Sequence, residues 1–292
     1  MRVILLGPQR RPTVDAVARS LGLSGVVATV TAGWREREGD DGELVALLGG
    51  AAVNLSLYRR WLDVQERDPE YVAGERRLAG TLAGLQDLYL LRLDYALRAV
   101  YAVQRRPGAG AEAVEEAVAA VRELDQAHLR RVNGARGEFF GRLEPHARPV
   151  IAAHRAEVSA VLEGAAALVV AGGHVGVLAE VLHLFNLAAV LRAPVIAWSA
   201  GAMALTDRIV LFHDRAPQGP GHPEVYGSGL SVLRDAVLLP HARARLLLDD
   251  RDRMAVLALR FSPARCVPLE AGTRIDVEDG RWPDGVRVIE AA

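Results

Sequence analysis

Short apolar stretches that end at turn residues recur near both ends of the sequence, at residues 2–6, 26–31, 167–171 and 194–198. They lack alternation of apolar and polar residues, which is typical of parallel strands that are covered on both faces. Helical patterns separate them, for example at residues 13–21 and 177–191. This order predicts an α/β protein with three α/β/α layers around an open, doubly wound and mostly parallel sheet.

The pattern changes between residues 50 and 148, where long stretches are rich in Ala, Leu, Arg and Glu. Residues 76–105 and 111–132 have apolar side chains three and four positions apart, and the sequence RPGAG at 106–110 predicts a break between two helices. One continuous apolar helix face comprises Leu78, Leu82, Leu85, Tyr89, Leu93, Leu97 and Val100. We interpret residues 50–148 as a large all-helical insertion, outside the sheet, in a single α/β domain covering residues 1–292. Its apolar content predicts that part of it covers the mouth of a site or forms a homodimer interface.

Short elements return after residue 199. Residues 216–223 contain three prolines and two glycines, which predicts a loop. Residues 237–239, 254–259 and 274–277 have the apolar and β-branched character of strands, and the last of them precedes a turn at Asp279 and Gly280.

Composition and charge limit the classes of binding partner that we expect. The 292 residues are 51% hydrophobic and 24% charged, with a net charge of −1, so neither disorder nor a nucleic-acid or membrane-surface partner is expected. A small-molecule or peptide ligand is therefore predicted. All 35 basic residues are arginine, and the absence of lysine excludes Schiff-base and P-loop lysine chemistry.

Cofactors and export are not expected either. A single Cys266 cannot form an internal disulfide, and the apolar start of the sequence is too short for a signal peptide, which predicts a cytoplasmic protein. No G-x-G-x-x-G motif follows the first predicted strand, and the histidines lack the spacing of metal ligands. We therefore expect no nucleotide cofactor and no metal.

The segment around Ser199 carries the most specific chemical signal. A buried strand at 194–198 runs into a turn of small residues with Ser199 at its apex, and a helix follows. This is the context of a nucleophile elbow, which needs small residues two positions before and after the serine, here Ala197 and Gly201, and which commonly gives the serine a positive φ. A serine that only caps the following helix is the alternative.

A nucleophilic serine requires a base and an acid that orients the base. His241 follows a predicted strand end, where the carboxyl edge of a parallel sheet gathers functional side chains, and Glu270 follows another short apolar run. A structural histidine at the strand end is the alternative interpretation of His241.

Residues 166–279 resemble the dipeptidase E and cyanophycinase group of serine hydrolases, within the class I glutamine-amidotransferase-like superfamily. The resemblance lies in the sequence WSAGA at 198–202, Gly172 and Gly173 one strand earlier, the Pro240-His241 pair, and the sequence LEAGT at 269–273. Residues 31–36 are similar to the second strand and following loop of the same flavodoxin-like fold.

The resemblance implies that Ser199 is the nucleophile, His241 the general base and Glu270 the acid of a Ser-His-Glu triad. It implies an oxyanion hole formed by the backbone N–H groups of Gly173 and Ala200. Asp214 resembles an acidic residue that lies near the site in this group, and it is the rival of Glu270 as the third triad residue or a substrate-binding residue.

Two departures from the group concern the substrate. Ala197 replaces a glycine, and the sequence GHVG at 173–176 replaces a polar turn, which makes His174 a candidate for lining the pocket. Arg251 and Arg253 are candidates for binding a substrate carboxylate. The expected function is hydrolysis of an amide in a small peptide or amino-acid conjugate through an acyl-enzyme. The alternative is a catalytically idle protein whose helical insertion binds a protein partner.

Overall fold

The computed structural model describes residues 1–212 and 221–290. In this part of the chain there are ten strands, numbered in chain order: β1 (Arg2–Leu6), β2 (Val27–Val30), β3 (Ala52–Asn54), β4 (Ala167–Val170), β5 (Val195–Trp198), β6 (Ile209–Leu211), β7 (Glu224–Gly227), β8 (Ala236–Pro240), β9 (Arg265–Leu269) and β10 (Arg274–Glu278). Six of them form one sheet in the order β10-β1-β5-β4-β2-β3. The smaller pairs are β6 with β7 and β8 with β9.

The α-helices of the described residues are α1 (Val14–Ser20), α2 (Gly42–Leu47), α3 (Leu57–Arg67), α4 (Pro69–Gln104), α5 (Ala111–Leu143), α6 (Pro149–Glu163), α7 (Val175–Leu184), α8 (Leu187–Val190), α9 (Ala200–Met203), α10 (Ala242–Arg245) and α11 (Arg251–Phe261). Short 3-10 helices cover Ala32–Arg37 and Pro145–Ala147.

The central sheet is mostly parallel, as predicted. Strands β1 to β5 run parallel to one another, and only β10 is antiparallel, on the outer side of β1. Alternate residues of a strand enter two separate hydrophobic cores: Val3 and Leu5 of β1 face one, and Ile4 and Leu6 face the other. Both faces of the sheet are therefore covered, which explains why the strand sequences are continuously apolar.

The region after residue 50 is helical, with one exception. Residues 52–54 form β3 and pair with β2 at the sheet edge, so the prediction that all of residues 50–148 lie outside the sheet is wrong at this point. The strand was missed because three half-exposed residues at an edge carry no periodic pattern. The helices α3, α4 and α5 follow, and α4 ends before the expected break at 106–110. Gly74 near the start of α4 packs against Leu143 at the end of α5, so the two long helices are antiparallel.

A second correction concerns residues 254–259, which belong to helix α11 and not to a strand. Asp250 caps this helix, because its side chain accepts a hydrogen bond from the backbone N–H of Arg253 at 3.1 Å. Met254, Leu257 and Phe261 are buried at helical spacing. A short apolar run has the same appearance in a buried strand and a buried helix, and here the aspartate cap selects the helix.

Candidate active site

Ser199 lies at the carboxyl end of β5, between that strand and helix α9. Its backbone has φ 50° and ψ −124°, which confirms the positive φ predicted for an elbow. A Cβ atom on Gly201 would lie 2.6 Å from the carbonyl oxygen of Ala171, so only glycine allows the chain after the serine to pack this closely against the end of β4. The requirement for a small residue at position 201 is thus a steric one.

A cavity of about 920 Å³ opens above the carboxyl ends of the parallel strands. Ser199, Gly173, Ala200 and His241 all line it. The turns after β1, β2, β4, β5 and β8 each contribute to its wall, which is where an open α/β sheet gathers its functional residues. No described wall residue comes from 50–148, so the expected cover from the helical region is not seen at this cavity.

Two backbone N–H groups are available beside Ser199. Gly173 has φ 127°, and a Cβ atom there would lie 2.9 Å from the Cα of Gly33. Both the positive φ and the close approach of Gly33 require glycine at this position. Within residues 1–212 and 221–290, neither the N–H of Gly173 nor that of Ala200 donates to a protein acceptor. Both groups can therefore donate to an oxygen atom of a bound molecule, which is the requirement of an oxyanion hole.

His241 is held at the cavity by its backbone. It follows β8 with φ 57° and ψ 35°, and its N–H donates to the carbonyl oxygen of Leu269 at 3.0 Å. Burial lowers the pKa of the imidazole, and the positive charges of Arg245 and Arg10 lower that pKa further, while the charge of Glu270 raises it. The ring is therefore neutral near pH 7 and able to accept a proton.

The hydrogen bonds of a closed triad are not formed in this structure. Among the described residues, the imidazole of His241 has no hydrogen bond to Ser199 or to Glu270. The Oε1 atom of Glu270 instead accepts from the backbone N–H of Arg243 at 2.7 Å, in the first turn of α10. Glu270 lines a neighbouring cleft and acts on His241 through its charge. Catalytic contacts in substrate-free enzymes are often longer than in the complex.

The other predicted site residues lie elsewhere. His174 caps helix α7, where its Nδ1 accepts from the N–H of Val177 at 3.2 Å, and it does not line the described cavity. Arg251 and Arg253 line two separate clefts. Asp214 lies outside the described residues. Burial raises the pKa of Cys266 to about 12, so this thiol does not compete as a nucleophile.

The cavity also contains residues that the sequence did not single out. Arg10 lies in the turn after β1, which ends at Leu6, and Arg245 lies one helical turn beyond His241. The rule that functional residues collect at the carboxyl ends of parallel strands could have indicated both. Glu224 gave no such signal, because β7 was not predicted.

No helix in the described part of the chain is both long enough and apolar enough to span a membrane. In residues 1–212 and 221–290, no three side chains of His, Cys, Asp or Glu are grouped so that they could hold a metal ion. No protein-family model matches the sequence, and no curated protein matches it significantly.

Proposed function

We propose that the chain is a serine hydrolase that cleaves an amide bond through an acyl-enzyme. The observation that carries the proposal is the placement of Ser199, whose strained positive φ holds it in a cavity beside two unpaired backbone N–H groups. Strained backbone of this kind persists only where the surrounding structure enforces it, and it is frequent at active sites.

In the proposed mechanism, the hydroxyl of Ser199 attacks the carbonyl carbon of the amide while His241 accepts the hydroxyl proton. The N–H groups of Gly173 and Ala200 stabilise the negative oxygen of the tetrahedral intermediate. The imidazolium of His241 then donates its proton to the leaving amine, and water hydrolyses the ester of Ser199 by the same route. Glu270 stabilises the imidazolium electrostatically, since its charge raises the pKa of His241.

The dipeptidase E and cyanophycinase resemblance supports the same reaction and a substrate that is a small peptide or an amino-acid conjugate. In this proposal the helices α3 to α5 are an insertion in a class I glutamine-amidotransferase-like domain. Ser199 at the position of the cysteine of true amidotransferases argues against ammonia production from glutamine.

A fluorophosphonate probe tests the proposal without knowledge of the substrate. The wild-type chain should be labelled, Ser199→Ala should not be labelled, and His241→Ala should be labelled far more slowly. In amide turnover, the two substitutions together should cost little more than either alone, because the residues act as a unit. Absence of labelling in a folded wild-type protein would reject the proposal.

A second candidate is an idle enzyme whose helices bind a protein partner. It is favoured by the large side chains of Leu88, Leu91 and Tyr95, which are exposed along helix α4. It is also favoured because, among the described residues, the imidazole of His241 has no hydrogen bond to Ser199 or Glu270. Failure of fluorophosphonate labelling, together with self-association in light scattering that Leu88→Ser abolishes, would support this candidate.

A further inference from the structure

Glu224 lines the same cavity as Ser199 and His241, on the first residue of β7. It forms no salt bridge with a described residue, and the side-chain amide of Gln86 lies beside its carboxylate and acts to lower its pKa. The side chain is half-buried, and this burial raises the pKa of Glu224. Partial burial of a carboxylate without an ionic partner carries a desolvation penalty in free energy. A bound cation would offset that penalty.

The backbone on both sides of Glu224 is fixed by one buried cluster. The carbonyl oxygen of Pro223 accepts from Nη1 of Arg260 at 2.6 Å, and the N–H of Val225 donates to the hydroxyl of Tyr89 at 3.0 Å. Arg260 and Tyr89 are joined through Asp125, whose carboxylate accepts from Nε of Arg260 at 2.7 Å and from the Tyr89 hydroxyl at 2.8 Å. The backbone is therefore fixed by hydrogen bonds on both sides of Glu224.

The positive charge of Arg260 acts to lower the pKa of Glu224, but Arg260 forms no salt bridge with it. Its Nε and Nη2 groups bond Asp125, its Nη1 bonds Pro223, and its side chain is fully buried behind the cavity wall. The other arginines of the cavity act at a different place, since Arg10 and Arg245 lower the pKa of His241. Arg10 and Arg245 thus act near His241. Of the three carboxylates in the described lining of the cavity, Asp40 and Glu43 are exposed and Glu224 is half-buried.

We propose that Glu224 selects a cationic amine, an ammonium group on a flexible chain, in the amide substrate that binds at Ser199. This inference rests on the proposed hydrolase function for the identity of the substrate, but it concerns binding and is testable without turnover. Gln86 contributes on the protein side: its side-chain amide acts on the carboxylate of Glu224, while its Oε1 contacts Nε2 of His128 at 2.9 Å. An amide at this place can support the carboxylate without neutralising it.

The test compares two ligands that differ only in the charged group. Calorimetric titration of the Ser199→Ala protein with 5-aminopentanamide and 5-hydroxypentanamide measures the preference for ammonium over hydroxyl. We expect the amine to bind about tenfold more tightly, as for one charge-assisted hydrogen bond. Glu224→Gln should bring the ratio of the two dissociation constants near one, whereas Glu224→Asp, which keeps the charge, should retain a preference for the amine.

Glu66→Gln is the matched control, because Glu66 is exposed on α3 and does not line the cavity. It should leave the ratio unchanged. Equal binding of the two ligands to the Ser199→Ala protein, or a preference that survives Glu224→Gln, would overturn the inference. A Glu224-dependent preference in a chain that no fluorophosphonate labels would instead uphold the cation site and reject the hydrolase.

Discussion

A Cβ atom on Gly172 would lie 2.9 Å from the Cβ atom of Ser199. The turn after β4 is therefore in direct contact with the turn after β5. A larger side chain in either turn would collide with the other. Trp198 lies on the same side, 3.4 Å from that position through its Cδ1 atom.

Gly172→Ala should consequently displace Ser199 and lower the rate of fluorophosphonate labelling by about tenfold or more, since small errors of position are costly in catalysis. Circular dichroism and thermal unfolding check that the variant folds. Gly141→Ala is the control: this position is exposed on α5 with open space around it, so labelling should not change and stability should rise by about 0.5–1 kcal/mol. Normal labelling of a folded Gly172→Ala protein would contradict the close packing.

The backbone strain at Ser199 should be measurable as stability. Ser199→Gly removes the side-chain clash at φ 50°, whereas Ser199→Ala keeps it. We expect the glycine variant to have a free energy of unfolding about 1 kcal/mol higher than the alanine variant in urea titrations. Equal stabilities, or a more stable alanine variant, would mean that the positive φ at position 199 does not lower the free energy of unfolding.

The pH dependence of labelling should report His241. In the proposed mechanism the neutral imidazole is the base. Burial together with Arg245 and Arg10 lowers its pKa, so labelling should persist below the usual histidine pKa of about 6.5. Arg245→Gln removes a positive charge and should move the acid midpoint to higher pH. Glu270→Gln removes a negative charge and should move it to lower pH.

Arg142→Gln, an exposed substitution at the end of α5, serves as the control in the pH profile and should leave the midpoint in place. Two midpoints that shift in the same direction for Arg245→Gln and Glu270→Gln would exclude His241 as the titrating group.

The buried pair of Arg260 and Asp125 should dominate the stability of the helical region. Both residues are about 3% exposed, so removal of one partner leaves a buried charge alone. Asp125→Asn or Arg260→Met should each lower the free energy of unfolding by about 3–5 kcal/mol. At the exposed pair of Arg130 and Glu123, Arg130→Ala should cost less than about 1 kcal/mol in the same urea titration. Similar losses at both pairs would contradict this assignment.

Sequence patterns located much of this architecture because its central strands are fully buried. Residues 2–6 match β1, and the apolar runs that end at 198 and 171 match β5 and β4 closely. The positive φ of Ser199 was predictable as well, because a buried strand followed by a serine and small residues is typical of such a tight turn. The seven-residue apolar face of α4 is mostly buried, as its spacing indicates.

The sequence could not reveal contacts between distant segments. The carboxylate of Glu270 was expected at the imidazole of His241, but it accepts a hydrogen bond from the backbone N–H of Arg243. The two residues are close because β8 and β9, which precede them, pair in one particular register. The cluster of Tyr89, Asp125 and Arg260 joins three helices, and no local pattern marks its members as partners. The positions of the charged residues around the cavity could therefore be learned only from the structure.

Strand β1 imposes an order on the biosynthesis of this molecule. Val3 pairs with Val195 on one side and with Val277 on the other, so β1 can complete its pairing only after both of these later segments have been synthesised. Helices α4 and α5 pair with each other and can form meanwhile. Because β8 and β9, which precede His241 and Glu270, also lie after α4 and α5 in the chain, the proposed catalytic residues can come together only after the helical region has been synthesised.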